Sequence, residues 1–145
     1  MSDGDHTPRI LVSNRQPAPL DEEGLIELAR TCLAGEGAAR SELSVSFVTA
    51  AEMAELHLRY LGEEGPTDVL SFPLGEEDED GARILGDVVI APEVAAASNP
   101  GDPAAELRLL LVHGILHLLG HDHEDDGERA EMWAKQERYA GVRVP

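Results

Sequence analysis

At 145 residues the chain has the length of one ordinary domain, enough to bury about two thirds of its unfolded surface, and its 42% hydrophobic content fits a globular core. No apolar run approaches the ~18 residues of a membrane span, and Met1 to Pro8 lacks the basic and apolar regions of a secretory signal, so a cytoplasmic protein with no membrane partner is expected. The formal net charge of −18, 29 acidic residues against 11 basic, argues against a general nucleic-acid binder and against DNA, while leaving room for a local basic cleft around a bound cation.

Arg9 to Ser13 is a short aliphatic, β-branched run that reads as a strand, ended by Asn14 to Pro19. From Asp21, Leu25, Leu28, Ala29, Cys32 and Leu33 keep helical spacing until Gly35. Cys32 is the only cysteine and lies in that apolar stripe, where a buried structural thiol is the expected role. Leu43 to Val48 alternates with the period of a half-buried strand. Thr49 and Glu52 then form a capping box, with Met53, Leu56 and Tyr60 on one helix face. After the turn Gly62 to Pro66, Val69 to Phe72 reads as a strand closed by Pro73. The acidic run Glu76 to Asp80 reads as a solvated loop tip, and Gly86 to Ala91 as a strand pairing back in a hairpin. Pro92 to Ser98 is a short helix. Asp102 as N-cap and Pro103 at the first helical position start a long helix to about Leu119, with Leu107, Leu110, Leu111, Ile115 and Leu118 on a broad apolar face. Asp125 with Glu128 suggests a capping box for a last helix carrying Met132 and Trp133 to about Tyr139. Strands come first and helices last, with no repeat and no linker. The expected class is therefore α+β, one domain over residues 1–145, with about four strands in a sheet and about five helices.

The chemistry is announced between His113 and His123, His-Gly-Ile-Leu-His-Leu-Leu-Gly-His-Asp-His. His113 and His117 share a helix face, and Gly120 lets the chain turn back and bring His123 toward them. Three imidazoles suit one zinc ion, with the fourth position left for water, as in a catalytic site. H-x-x-x-H-x-x-G-x-x-H is the zincin-like ligand spacing of the metzincin peptidases, whose helix carries a Glu base directly after the first His. Here that position is Gly114, so a peptidase mechanism lacks its base. His121 could replace His123 as ligand, move a proton, or face solvent; Asp122 could accept a ring N–H or move a proton.

This block, together with Thr67-Asp68-Val69-Leu70-Ser71-Phe72-Pro73 and Gly86-Asp87-Val88-Val89-Ile90 upstream, resembles the YbeY family of bacterial zinc-dependent endoribonucleases. The resemblance implies an α+β fold with a four-stranded sheet and one Zn²⁺ on His113, His117 and His123. It implies cleavage of single-stranded RNA in maturation of the small-subunit rRNA 3′ end and in ribosome quality control, so rRNA precursor and ribosome are the expected partners. Thr67, Asp68 and Ser71 are candidates to line the substrate cleft, or are turn and strand-end residues. Many members carry an Arg five residues before the Pro of the Pro-Thr-Asp block; here that position is Leu61, and Arg59, two residues away, is the candidate phosphate contact. Two other readings stand beside this one: a zinc hydrolase acting on a peptide or other neutral substrate, and a non-catalytic ribosome-assembly factor braced by its metal.

Overall fold

The computed structural model describes residues 7–77, 79, 81–121 and 126–141. In chain order its elements are β1 (Arg9–Asn14), α1 (Glu22–Gly35), β2 (Ser41–Phe47), α2 (Ala50–Leu61), β3 (Val69–Glu77), β4 (Arg83–Ile90), α3 (Pro92–Ser98), α4 (Pro103–Leu118) and α5 (Asp126–Ala140). One four-stranded sheet has the order β1-β2-β4-β3. β1, β2 and β4 run parallel, and β3 pairs antiparallel with β4 as an edge strand. Four strands and five helices of class α+β are what the sequence predicts.

Local chemistry fixes the helix starts. The Asp21 side chain accepts from Gly24 N, that of Thr49 from Glu52 N and that of Asp102 from Ala105 N, each satisfying a backbone donor that the helix leaves open. The capping box predicted at Asp125 falls outside the described residues.

β2 alternates buried and half-buried residues along its length, sending Leu43, Val45 and Phe47 into a core shared with α1, α4 and α5. A second, smaller cluster on the other face joins Met53 of α2 to Leu70 and Val89. Cys32 is fully buried in the main core, and burial, reinforced by the Glu36 charge, pushes its thiol up to about 12. It is a packing residue, as its place in the stripe predicts. α4 is the most deeply set helix. Leu111, Ile115 and Leu116 are each 1% exposed or less, and burial of each such side chain stabilises the fold by about 1.5–3 kcal/mol. Whatever α4 carries is therefore held on a rigid support. No helix among the described residues is long and apolar enough to cross a membrane.

The hairpin differs from its sequence reading. β3 continues through Pro73 to Glu77 and β4 begins already at Arg83, with a register shift between Pro73 and Glu76. Pro73 is tolerated because edge strands can spare the N–H that proline lacks. Opposite it, Gly86 takes φ +130°, and any Cβ there would run into the Phe72 carbonyl oxygen. The acidic Glu76 and Glu77 lie in an exposed ribbon, paired with Ile84 and Arg83, rather than in a loop tip.

Candidate metal centre

α4 ends as the glycine predicts. Gly120 takes φ +95°, its N–H donates to the His117 carbonyl at 3.0 Å, and His121 N–H donates to the Leu116 carbonyl at 2.9 Å. These paired bonds close the last turn and fold the chain back over it. One turn of helix separates His113 from His117. Their rings meet edge to face, centroids 4.5 Å apart, and their Nε2 atoms stand 3.0 Å from each other. Nitrogens this close can be bridged by one ion whose bonds to imidazole run about 2.0–2.1 Å.

A buried amide sets the orientation of the first ring. His113 Nδ1 donates to Gln136 Oε1 at 2.6 Å, and Gln136, on α5, is only 3% exposed. With its Nδ1 protonated, a neutral His113 must present a lone pair at Nε2, toward His117. Sequence reading missed Gln136, although a signal was there. Met132, Gln136 and Ala140 recur four apart on the buried face of α5, and a lone polar residue in such a stripe needs a partner. Gln136→Leu keeps the shape and removes the acceptor. It is expected to weaken metal binding about 10–100-fold, read by competition with a chromogenic chelator, while the α5 packing and the melting temperature change little.

The two histidines form one wall of a cleft of about 350 Å³ whose other walls are Leu61, Val69, Leu70, Ser71, Pro73 and Leu118. Ser71 Oγ donates to the Gly114 carbonyl at 3.2 Å, tying β3 to α4 beside the pair. Gly114 faces the sheet. A Cβ built on it would lie 2.7 Å from Val88 Cγ1 and 3.2 Å from Ser71 Oγ, so this position has no room for the carboxylate a peptidase would place there.

The remaining candidates are distributed more widely. Leu61 reaches the cleft; Arg59 does not line it, and its Cζ lies 5.7 Å from the centroid of the Tyr60 ring. Thr67 and Asp68 are half-buried at the entry to β3. The Asp68 carbonyl accepts from Ala91 N, and its charge, after burial, helps raise the Glu106 carboxyl at the start of α4. His121 is drawn to a different cluster: its Nε2 is 3.2 Å from both Glu36 Oε1 and Lys135 Nζ. Glu36 also accepts from Lys135 Nζ and from the Tyr139 hydroxyl, each at 2.7 Å. Burial pushes the Glu36 carboxyl up, but these three donors outweigh it and hold the group below the usual carboxylate range. Burial and the bond to Glu36 push the Tyr139 phenol up to about 12. Asp122 and His123 lie outside the described residues. Among the described residues no three His, Cys, Asp or Glu side chains gather into a metal-holding group; the pair His113–His117 is what the structure brings together.

The family model described as Endoribonuclease YbeY matches residues 11–141. The chain belongs to the YbeY family. Among its relatives, the Endoribonuclease YbeY of Thermobifida fusca is 48% identical over 147 residues, covering 92% of this chain and 94% of that one. That of Streptomyces coelicolor is 43% identical over 140 residues, covering 88% and 85%. The solution structure of TM1509 from Thermotoga maritima superposes with a TM-score of 0.58 at 31% identity, covering 92% of this chain and 86% of that one. The YbeY assignment thus spans both the sheet and the histidine helix.

Proposed function

We propose that this chain is a zinc-dependent endoribonuclease that hydrolyses phosphodiester bonds in single-stranded RNA. Its substrate would be the 3′ region of the small-subunit rRNA precursor, met in the cytoplasm on or near the ribosome, with a further part in ribosome quality control. The observation that carries the reading is the 3.0 Å approach of His113 and His117 Nε2 at the wall of a cleft, in a chain whose relatives bear the name endoribonuclease.

His113, His117 and His123 would hold one Zn²⁺. When bound, the ion supplies Lewis acidity, bringing the pKa of a water toward neutrality and offsetting charge that develops on the phosphate. Gln136 holds His113 so that its Nε2 lone pair faces His117, where the ion would be held. Ser71 braces the facing wall through the Gly114 carbonyl, and Thr67 and Asp68 would border the strand's path. Leu61 makes the remaining wall apolar, so no side chain there contributes charge to the phosphate. Arg59, whose Cζ lies 5.7 Å from the Tyr60 ring, would meet a phosphate further along the strand rather than the one at the histidine pair. Proton transfer would fall to Asp122, because the His121 ring is held by Glu36 and Lys135. A peptide substrate is not supported, because the helix position that would carry the base is packed against Val88.

Metal content and activity measured on one preparation test the reading. Purified protein is expected to contain close to one zinc per chain, to cut a single-stranded RNA oligonucleotide and to spare the same sequence in a duplex. Chelation should abolish cutting and added zinc should restore it. Cleavage that persists in metal-free protein would overturn the proposal.

A further inference from the structure

Exposed apolar side chains concentrate at the end of α2 and in β3. Six large apolar side chains stand exposed among the described residues, and four of them, Leu58, Tyr60, Leu61 and Leu74, lie in the last turn of α2 and in β3. Exposed apolar groups scattered singly need no explanation, but a group of them at one place marks a surface that something covers. Tyr60 is the centre of this one. The whole chain has only five Phe, Tyr and Trp residues. Tyr60 leaves 57% of its surface exposed while its ring meets Phe72 edge to face at 5.3 Å, and Arg59 Cζ is 5.7 Å from its centroid.

The position of β3 relates this aromatic group to the cleft. Successive side chains of a strand point to opposite faces. Ser71 and Pro73 line the histidine cleft, whereas Phe72 packs on the other face, in the cluster of Met53 and Leu70. β3 is the edge strand of the sheet, with Ser71 and Pro73 lining the cleft and Phe72, which Tyr60 meets, on the opposite face. Leu61, the next residue after Tyr60, lines the cleft. A polymer with a phosphate beside His113 and His117 and a flat, π-rich group on the adjoining unit would cover both sides.

We propose that Tyr60, backed by Phe72 and flanked by Arg59, is a stacking platform for one unpaired base of the RNA strand next to the phosphate held at the histidine pair. This deepens the endoribonuclease reading and rests on it. An exposed ring beside a guanidinium suits a nucleobase, because every base offers a π face and its flanking phosphate a negative charge. The arrangement also supplies a reason for cutting only single strands. A base inside a duplex is already stacked and paired, and cannot turn out to lie on Tyr60 while its neighbour's phosphate sits across β3.

The test uses the full-length, zinc-loaded protein and a fluorescently labelled single-stranded RNA, with binding followed by stopped-flow anisotropy on a timescale shorter than cleavage. Tyr60→Phe should bind within about twofold of wild type, and Tyr60→Leu about tenfold more weakly. In cleavage of the same RNA the Leu variant should raise KM with little change in kcat. Far-UV melting curves that coincide for all three proteins exclude misfolding, as the exposure of Tyr60 leads one to expect. If Tyr60→Leu binds RNA as tightly as wild type, the platform is overturned. If it does so yet co-sediments poorly with small ribosomal subunits, the apolar surface belongs to a protein contact instead. Equal losses in the Phe and Leu variants would implicate the hydroxyl and also overturn stacking. Failure of the wild type itself to bind single-stranded RNA would overturn the endoribonuclease reading together with this one.

Discussion

Replacement of His117 by Ala is expected to lower cleavage of single-stranded RNA by about 10³-fold or more, and to lower the zinc content of the purified protein with it. The size follows from what the pair does. A metal's contribution to a phosphoryl-transfer barrier is several kcal/mol, and each 1.36 kcal/mol is a factor of about ten in rate. His117 supplies one of the two nitrogens that converge within 3.0 Å, so its loss removes half of that pair. The fold should tolerate the change. His117 is half-buried at the cleft wall and belongs to neither apolar cluster, so the melting temperature should move by no more than a few degrees. His121→Ala provides the contrast. Its ring is held by Glu36 and Lys135, away from the pair, and its removal should cost much less activity than that of His117. A His117→Ala protein that keeps both its zinc and its cleavage rate would show that the pair is not the centre.

Gly114 carries the second large effect, this time on stability. Alanine is the better helix former by about 1 kcal/mol, so an exposed Gly→Ala change in a helix would stabilise. Here the opposite sign is expected. The new Cβ would stand 2.7 Å from Val88 Cγ1 and 3.1 Å from Cγ2, and Val88 is a fully buried, β-branched residue whose χ1 is restricted. Overpacking of this kind costs about 1–3 kcal/mol, so Gly114→Ala should lose stability in urea unfolding despite its helix propensity. Gly114→Glu, which would restore the residue order of a peptidase helix, forces a carboxylate between α4 and β4 and should cost about 4 kcal/mol or more. The expected outcome is a poorly folded protein with no peptidase activity. A stable Gly114→Ala variant would mean that α4 can lift from the sheet.

The α4 region was the most legible part of the chain because its signals are local. Asp102, Pro103 and Gly120 state where the helix begins and ends, and the four-residue spacing of His113 and His117 places them on one face without knowledge of anything else. The strands β1 and β2 were legible for the same reason, through alternation and aliphatic runs. What escaped was decided by distant partners. Gln136 meets His113 across 23 positions, and His121 is turned aside by Glu36, 85 positions away. No periodicity carries either fact. The continuation of β3 past Pro73 was hidden by composition. Glu76 and Glu77 resemble a solvated loop, yet in an exposed edge ribbon both faces meet water and charge costs little. Leu61 was noticed as a departure from the Arg carried by many YbeY members, but its place in the cleft wall depends on how α2 approaches β3, which only the assembled sheet decides.

The hydrogen bond between Gln136 and His113 has an implication for how the molecule comes into being. Translation delivers α5 after the sheet and after α4, so a nascent polypeptide possesses both histidines before it possesses the amide that steers the first of them. Docking of α5 brings the amide that turns His113 Nε2 toward His117. Orientation of the pair is therefore among the last features the folding chain acquires.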